Sequence, residues 1–469
     1  MFETICALVG GDADQPERAR RLDILQRVLD GRLYDVLPHE FHEERGGGGE
    51  YIPIRDRRPS VRYPLARIVV DDSISLLFGD GHFPTLDCAN PVVRGVLAHM
   101  VDECRLNAVM LDAARLGSVG SVAIEMRVMG GRVFFRVLET RFLTPTWDPR
   151  EPDRLMRVSE RYKVSGRTLA SRGYDGCDPN GVYWFEREWD DTAERWFQPR
   201  LASDLAPSVV DDLRSVRHRL RFVPITWIRN LPGGDEIDGA CTFAAAIETG
   251  IEIDYQLSQA GRGLKYSSDP MLLIREPAAP DGDLIRGGGN ALVVGANGDA
   301  KLLEINGTAA EAVIEYVRTL REYALEGVHG NRASAERLSA AQSGRALELM
   351  NQGLIWLADR LRVSYGAGLL ELARMVLRAS AVLRMTVRGE DVPVLDPLAR
   401  LSLAWPRWTP PTAAERAQDA NSLVALLNAG LISREGAVKA IADAWGVADV
   451  HAELRRVADD KSEPDAEVS

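Results

Sequence analysis

Apolar and polar positions alternate along this chain with two periods, and the switches between them divide it into segments. Residues 16–30 (PERARRLDILQRVLD) group Leu22, Ile24, Leu25, Val28 and Leu29 at helical spacing, and Gly31 ends the run. A loop with four consecutive glycines, Gly46–Gly49, follows and is expected to be mobile. Helical spacing returns over 62–78, ending at Gly79, and over 91–116, where Pro91 suits a first turn. From about 118 to 200 the period becomes two. SVAIEMRV and RVFFRVLE, joined through Met129-Gly130-Gly131, predict a hairpin, and VYWFEREW and ERWFQ around Asp190-Asp191 predict a second. Residues 221–232 add a short apolar strand before a Pro/Gly break.

The pattern then turns helical. Residues 239–262 predict a helix with Phe243, Ile247 and Ile251 on one face. Residues 270–306 hold two short apolar runs, MLLI and ALVVGA, which predict a small β-containing excursion. Thr308 and Glu311 have capping-box spacing ahead of a helix whose stripe is Ala312, Val313, Tyr316, Val317, Leu320, Tyr323 and Ala324. Gly327 and Gly330 stop it. A long helical region over 334–384 carries Gly353, Gly366 and Gly368, which predict bends. The chain from 412 onward is helical with a break at Asn428-Ala429-Gly430, and its last residues, DDKSEPDAEVS, have a disordered composition.

Length and composition add limits. A chain of 469 residues exceeds one compact core, and 45% hydrophobic with 27% charged residues is ordinary for a globular protein. The net charge of −12 argues against a surface that grips nucleic acid throughout, though not against a passage through which it slides. Five scattered cysteines form no CxxC pair, which argues against a disulfide framework or a zinc knuckle. The first residues lack the pattern of a signal peptide, and no window is apolar enough for a membrane helix, so a soluble protein without membrane contact is expected.

Catalytic patterns are scarce. His39 and His42, in HEFHEE, stand three apart rather than at HExxH spacing, and the cluster reads as a solvated polar segment. GRGLKYS (261–267) lacks the spacing of a phosphate loop, and the glycines at 287–289 do not open a helix after a strand. There is no GxSxG elbow and no cysteine with an evident histidine partner. Trp184, Trp189 and Trp196 lie among carboxylates, so packing is preferred over base stacking for them. No enzyme, cofactor or metal is expected.

Several short patterns resemble those of tailed-bacteriophage portal proteins, the head-to-tail connectors, of siphophage type. They are Tyr63-Pro64 with Ile68-Val69-Val70-Asp71 and Leu76-Leu77-Phe78-Gly79; Val223-Pro224-Ile225 with Ile228-Arg229-Asn230; and Ser343-Gly344-Arg345-Ala346-Leu347. The last is Trp405-Pro406, Pro410-Pro411-Thr412 and then Ala429-Gly430-Leu431-Ile432-Ser433-Arg434-Glu435-Gly436-Ala437. Their order covers about 60–460.

The resemblance implies an α+β portal fold. Residues 1–60 would be an N-terminal arm with one helix, and 61–238 the first, β-rich part of a wing. A stem helix (239–262), a small α/β clip (263–306), a second stem helix (307–326) and a tunnel loop (327–342) would follow. Residues 343–407 would return to the wing through a long bent helix, and 408–469 would form a helical crown with an acidic tail. It further implies a ring of twelve subunits at one capsid vertex of the virion, assembled in the host cytoplasm. Double-stranded DNA would pass through it without sequence preference. The expected partners are the terminase large subunit, a head-tail adaptor protein, and the major capsid and scaffolding proteins. His329, Asn331, Arg332 and Arg337 in the tunnel loop would either touch DNA phosphates or pair with neighbouring subunits. Arg262, Lys265, Arg275 and Arg286 near the clip would face DNA or an acidic docking partner. Another ring-forming protein of a virion or contractile device, and an enzyme with an unrecognised site, are the competing readings.

Overall fold

The computed structural model describes residues 1–9, 16–268, 271–277, 294–303, 308–330, 351–408, 413–445, 447 and 450–460. The chain forms two compact units of mixed helix and strand. One comprises Met1–Val69 and Phe243–Val328, the other Val70–Thr242 and His329–Ser469.

In the first unit, the helix Ile247–Ser268 organises the N-terminal segment. Its polar side chains at 254, 255 and 258 reach that segment at successive points. Tyr34 Oη donates to Asp254 Oδ2 (2.7 Å), and the Tyr63 amide donates to Asp254 Oδ1 (2.6 Å). Tyr255 Oη donates to the Arg57 carbonyl (2.9 Å), and the Val61 amide donates to Ser258 Oγ (3.0 Å). Arg57 is itself buried, with its guanidinium donating to the Phe41 carbonyl and to Tyr51 Oη. The segment holds two helices, Phe2–Leu8 and Glu17–Leu29, where the sequence pattern gave one. The short apolar run at 2–8 extends only two turns, too little for a periodic signal. The glycine run closes as a turn, with the Gly46 amide donating to the Glu50 carbonyl under an Arg45–Tyr51 bridge. An antiparallel hairpin, Met271–Pro277 with Val294–Leu303, follows the helix Ile247–Ser268, and the helix Thr308–Gly327 comes next.

That first helix starts later than the expected 239. Residues 239–242 are held in an extended path, because the Ala240 amide donates to the Leu231 carbonyl and the Thr242 amide to the Ser118 carbonyl. Of the stripe on Thr308–Gly327, Ala324 is buried, Val313, Val317 and Leu320 are half-buried, and Ala312, Tyr316 and Tyr323 are exposed.

The second unit is built on two sheets. In the three-stranded sheet, Ser121–Met129 lies between Ile225–Arg229 and Arg132–Glu139. Gly130 and Gly131, both at positive φ, make the hairpin turn. The six-stranded sheet runs Val216–Arg217, Ala193–Trp196, Val182–Trp189, Leu155–Ser165, Leu143–Trp147, with Arg200–Leu201 also paired to Val182–Trp189. Between the sheets, Ala123, Leu143, Val158, Trp189, Val223 and Ile225 form one apolar core.

The helix Gln352–Ser380 packs on the three-stranded sheet. It runs unbroken for 29 residues through Gly353, Gly366 and Gly368. Two of these glycines serve close approach. A Cβ at Gly368 would collide with Ile228, and one at Gly366 would press on Leu403 and Trp405. The expected single helix over 91–116 is two helices, Pro91–Glu103 and Leu106–Gly117, broken at Arg105, whose φ is +49°. Apolar spacing continues through the break, so periodicity alone does not mark it. The C-terminal residues form the helices Ala413–Asn428, Arg434–Trp445 and Val450–Asp460, with Gly430 at positive φ after the first.

Candidate functional site

The residues singled out by the sequence patterns have concrete positions in the fold. Asn230 is fully buried in the second unit. Its Nδ2 donates to the Ala240 carbonyl and Thr242 Oγ1 (both 2.8 Å) and lies 3.3 Å from the Ser118 carbonyl. Its Oδ1 accepts from Tyr365 Oη (3.1 Å). An amide is suited to this place because it offers donors and an acceptor without a charge to bury. Nearby, Ser121 Oγ donates to buried Asp238 and contacts Thr140 Oγ1. These bonds clamp the 230–242 path to the sheet and the long helix. The chain leaves for the first unit at the next residue, Phe243.

The tryptophans of WPRW grip one arginine. The Arg362 guanidinium stands 4.7 Å from the Trp405 ring centre and 3.1 Å from that of Trp408, and its Nη2 donates to the Pro406 carbonyl. Burial pulls its pKa down to about 10. Phe78, from the LLFG pattern, packs on Tyr365 and Trp405. Ser433 Oγ accepts from the Gly436 amide (3.0 Å) and so caps the helix Arg434–Trp445. Ser343–Leu347 lies outside the described residues.

A charged cluster joins the two sheets of the second unit. Glu125, 1% exposed, has Arg127, Arg136 and Arg187 within 2.9, 2.7 and 3.2 Å. It also accepts from Trp189 Nε1 at 2.9 Å. Burial pushes its carboxyl upward, but the three guanidiniums outweigh this and hold it below the usual carboxylate range. Arg187 also pairs with Glu194 and lies 4.0 and 4.3 Å from the ring centres of Trp189 and Trp196. Those two tryptophans therefore pack, as their carboxylate-rich surroundings implied.

Of the channel candidates, His329 alone lies among the described residues; Asn331, Arg332 and Arg337 lie outside them. His329 has a φ of +54°, and its ring stands edge-on to Trp356 at 6.1 Å. It is therefore packed at the start of the long helix rather than solvated in a loop. Arg262 is ion-paired with Glu44 of the N-terminal segment. Lys265 is exposed on the same helix, and Arg275 belongs to the strand Met271–Pro277. Arg286 lies outside the described residues. His39 bonds Glu43 (3.1 Å), and among the described residues no group of three or more His, Cys, Asp or Glu converges as metal ligands.

Exposed apolar side chains are a feature that periodicity does not reveal. Trp356, Val363, Val424 and Trp445 stand on helix surfaces, Leu431 is exposed in the turn after Asn428, and Leu205 and Leu213 are 98% and 99% exposed. The second unit also has a groove of about 1110 Å³ between the long helix and the sheets. Exposed aromatic and aliphatic groups and a broad open groove are chemistry for assembly, and the sequence signal for the exposed groups is apolar residues at positions where neither period requires any.

Two solved structures from gene transfer agent (GTA) particles are similar over most of the chain. One is the virion of the native particle, with 14% identity and a TM-score of 0.36; the match covers 80% of this chain and 92% of that chain. The other is the neck of the empty particle with C6 symmetry, with 10% identity and a TM-score of 0.39, covering 80% of this chain and 88% of that one. No curated protein matches. The family described as phage portal protein, SPP1 Gp6-like, matches residues 143–466. With more than two thirds of its length matched, this chain belongs to that portal protein family.

Proposed function

We propose that the chain is the portal subunit of a phage-type particle, forming a ring of twelve at one capsid vertex through which double-stranded DNA enters and leaves. The observation that carries this reading is the family match over 143–466. The element order within it supports the reading: a β-rich body, a helix, a hairpin, a second helix and a 29-residue helix. In this assignment the second unit supplies wing and crown. Ile247–Ser268 and Thr308–Gly327 are the stem, and the intervening hairpin is the core of the clip. The tunnel loop is assigned to 327–342.

Physical chemistry favours such a conduit. A ring needs broad subunit contacts, and this chain exposes apolar side chains on several helices. A channel needs weak, repeated phosphate contacts, because a deep minimum would stall the DNA; an acidic chain with a few basic loop residues meets that need. Arg332 and Arg337 are the proposed phosphate contacts, with His329 and Asn331 beside them. Lys265, Arg275 and Arg286 are the proposed clip cations, facing the terminase large subunit and then an adaptor. Arg262 is given a lesser role, since Glu44 already pairs with it. Capsid and scaffolding proteins would surround the assembled ring in the virion.

Negative-stain microscopy of the purified chain tests the ring: open-centred rings are expected, and closed globular dimers would contradict it. Replacing Arg332 and Arg337 with glutamate should leave rings intact and lower DNA packaging by about tenfold or more. Normal packaging in that variant removes these two residues from the channel. Robust ATP hydrolysis by the purified chain alone would count against the portal reading.

A further inference from the structure

The second unit carries two exposed features of complementary chemistry. The first is a crest over residues 202–213, ASDLAPSVVDDL, which contains three aspartates and no basic residue. It is not a loose loop. The Gln198 amide donates to the Val209 carbonyl (2.8 Å), and the Asp211 amide to the Trp196 carbonyl (2.7 Å). Ser208 Oγ donates to Glu186, and Ser215 Oγ to the Asp211 carbonyl. On this fixed backbone Leu205 and Leu213 are 98% and 99% exposed. Two leucines held in water on an ordered backbone mark an interaction surface.

The second feature is the groove. Its floor is apolar, with Val223, Ile225 and Met375 buried beneath it, and Trp147 and Met156 stand along its side. Five arginines and four carboxylates line it. Arg374 and Arg378 are paired with Glu371, and Arg154 with Glu151. Arg221 and Arg229 have no carboxylate partner among the described residues. Arg229 instead stands 5.3 Å from the Trp147 ring centre.

Strand register separates the two features. Leu201, which leads into the crest, pairs with Tyr183 at the start of Val182–Trp189. Asp191, which lines the groove, follows the end of that strand. The Leu205 end of the crest and the groove are therefore separated by a strand's length, roughly 20 Å. An apolar, acidic projection and an apolar groove with excess arginine, apart on one rigid body, make a head-to-tail pair between copies. Such contacts close into rings when the rotation permits.

We infer that the 202–213 crest of one subunit seats in the 221–229/364–378 groove of the next, with Leu205 and Leu213 on the apolar floor and Asp204 and Asp212 toward Arg221 and Arg229. This names the partner surface for the ring proposed above and rests on that reading.

The test uses the full chain. L205D/L213D changes side chains that touch almost nothing within the subunit, so circular dichroism and thermal unfolding should match the parent. Ring formation should require at least about tenfold more protein. In a second variant, Leu205→Cys with Met156→Cys, mild oxidation of assembled rings should give a ladder of cross-linked multimers absent from either single variant. Rings that form normally in L205D/L213D, with no ladder from the paired cysteines, overturn this contact while leaving the ring. Failure of the parent chain to form rings at all overturns both. If L205D/L213D rings are normal but lose another virion protein, the crest serves that protein and this inference is wrong.

Discussion

Glu125 in the β-rich unit and Asp254 in the helical unit are both buried carboxylates, yet their surroundings push them in opposite directions. Glu125 has three guanidiniums within ion-pair distance. Asp254 accepts from the Tyr34 hydroxyl and the Tyr63 amide, and no guanidinium is bonded to it among the described contacts. Burial dominates at Asp254 and raises its pKa to about 6; at Glu125 the arginines overcome burial and lower it. The lesson is that burial sets the cost of a charge, and full counter-charges rather than neutral donors decide whether that cost is met. The two-sheet body is thus held by an ionised cluster, and the helical unit by a carboxyl that favours its proton.

Breaking the cluster should have the largest effect. Glu125→Ala leaves Arg187 buried beside two other arginines, with Glu194 as its main counter-charge. It should destabilise the β-rich unit by about 3–5 kcal/mol, read by denaturant unfolding. A loss below about 1 kcal/mol would mean that Glu194 alone neutralises the cluster.

Acidity separates the two units next. A carboxyl whose folded pKa is raised contributes stability that is complete below its unfolded value of about 3.9 and lost as pH rises through the folded value. For Asp254 that window is about 4 to 6, and the helical unit should weaken across it by roughly 2–3 kcal/mol. Glu125 has the opposite sign: its contribution is present above about 4.3 and lost as pH falls through its lowered value. Hydrogen exchange at pH 4.5 and 7.5, corrected for intrinsic rates, should show the helix Ile247–Ser268 better protected at the lower pH. Asp254→Asn should abolish that difference. Protection that rises with pH in this helix would refute the assignment.

A smaller change sharpens the same contrast. Tyr34→Phe removes one of the two donors to Asp254 and should cost about 1–2 kcal/mol. It should also move the pH window upward, since the carboxylate loses a bond that favours ionisation. The least effect is expected from His329→Gly. At φ +54° glycine is free of the strain a side chain carries, but the edge contact with Trp356 is lost, so the net change should lie within about 1 kcal/mol by thermal unfolding.

Much of this fold is legible in the sequence because its signals are local. Alternation gives the strands on either side of Gly130-Gly131 and Asp190-Asp191, and Pro91 opens a helix as expected, with the Asn90 side chain accepting from its first amides in the structure. The departures from expectation come from long-range bonds. Residues 239–246 have helical spacing, but bonds to Ser118 and Leu231 hold their first part extended. Gly366 and Gly368 admit the close approach of Trp405 and Ile228, which spacing along the chain does not reveal. The site is less legible than the fold. Leu205 and Leu213 fit no period, and their exposure depends on a backbone pinned by distant Trp196 and Glu186. Arg262 reads as a free cation until Glu44 is seen against it.

The central claim is that this chain forms the DNA conduit of a particle. An asymmetric cryo-electron microscopy reconstruction of particles carrying this chain tests it most directly. The account predicts one ring of this chain at a single vertex, with DNA density along its open centre. Density for the chain at many vertices, or a ring whose centre is closed to DNA in filled particles, would contradict it.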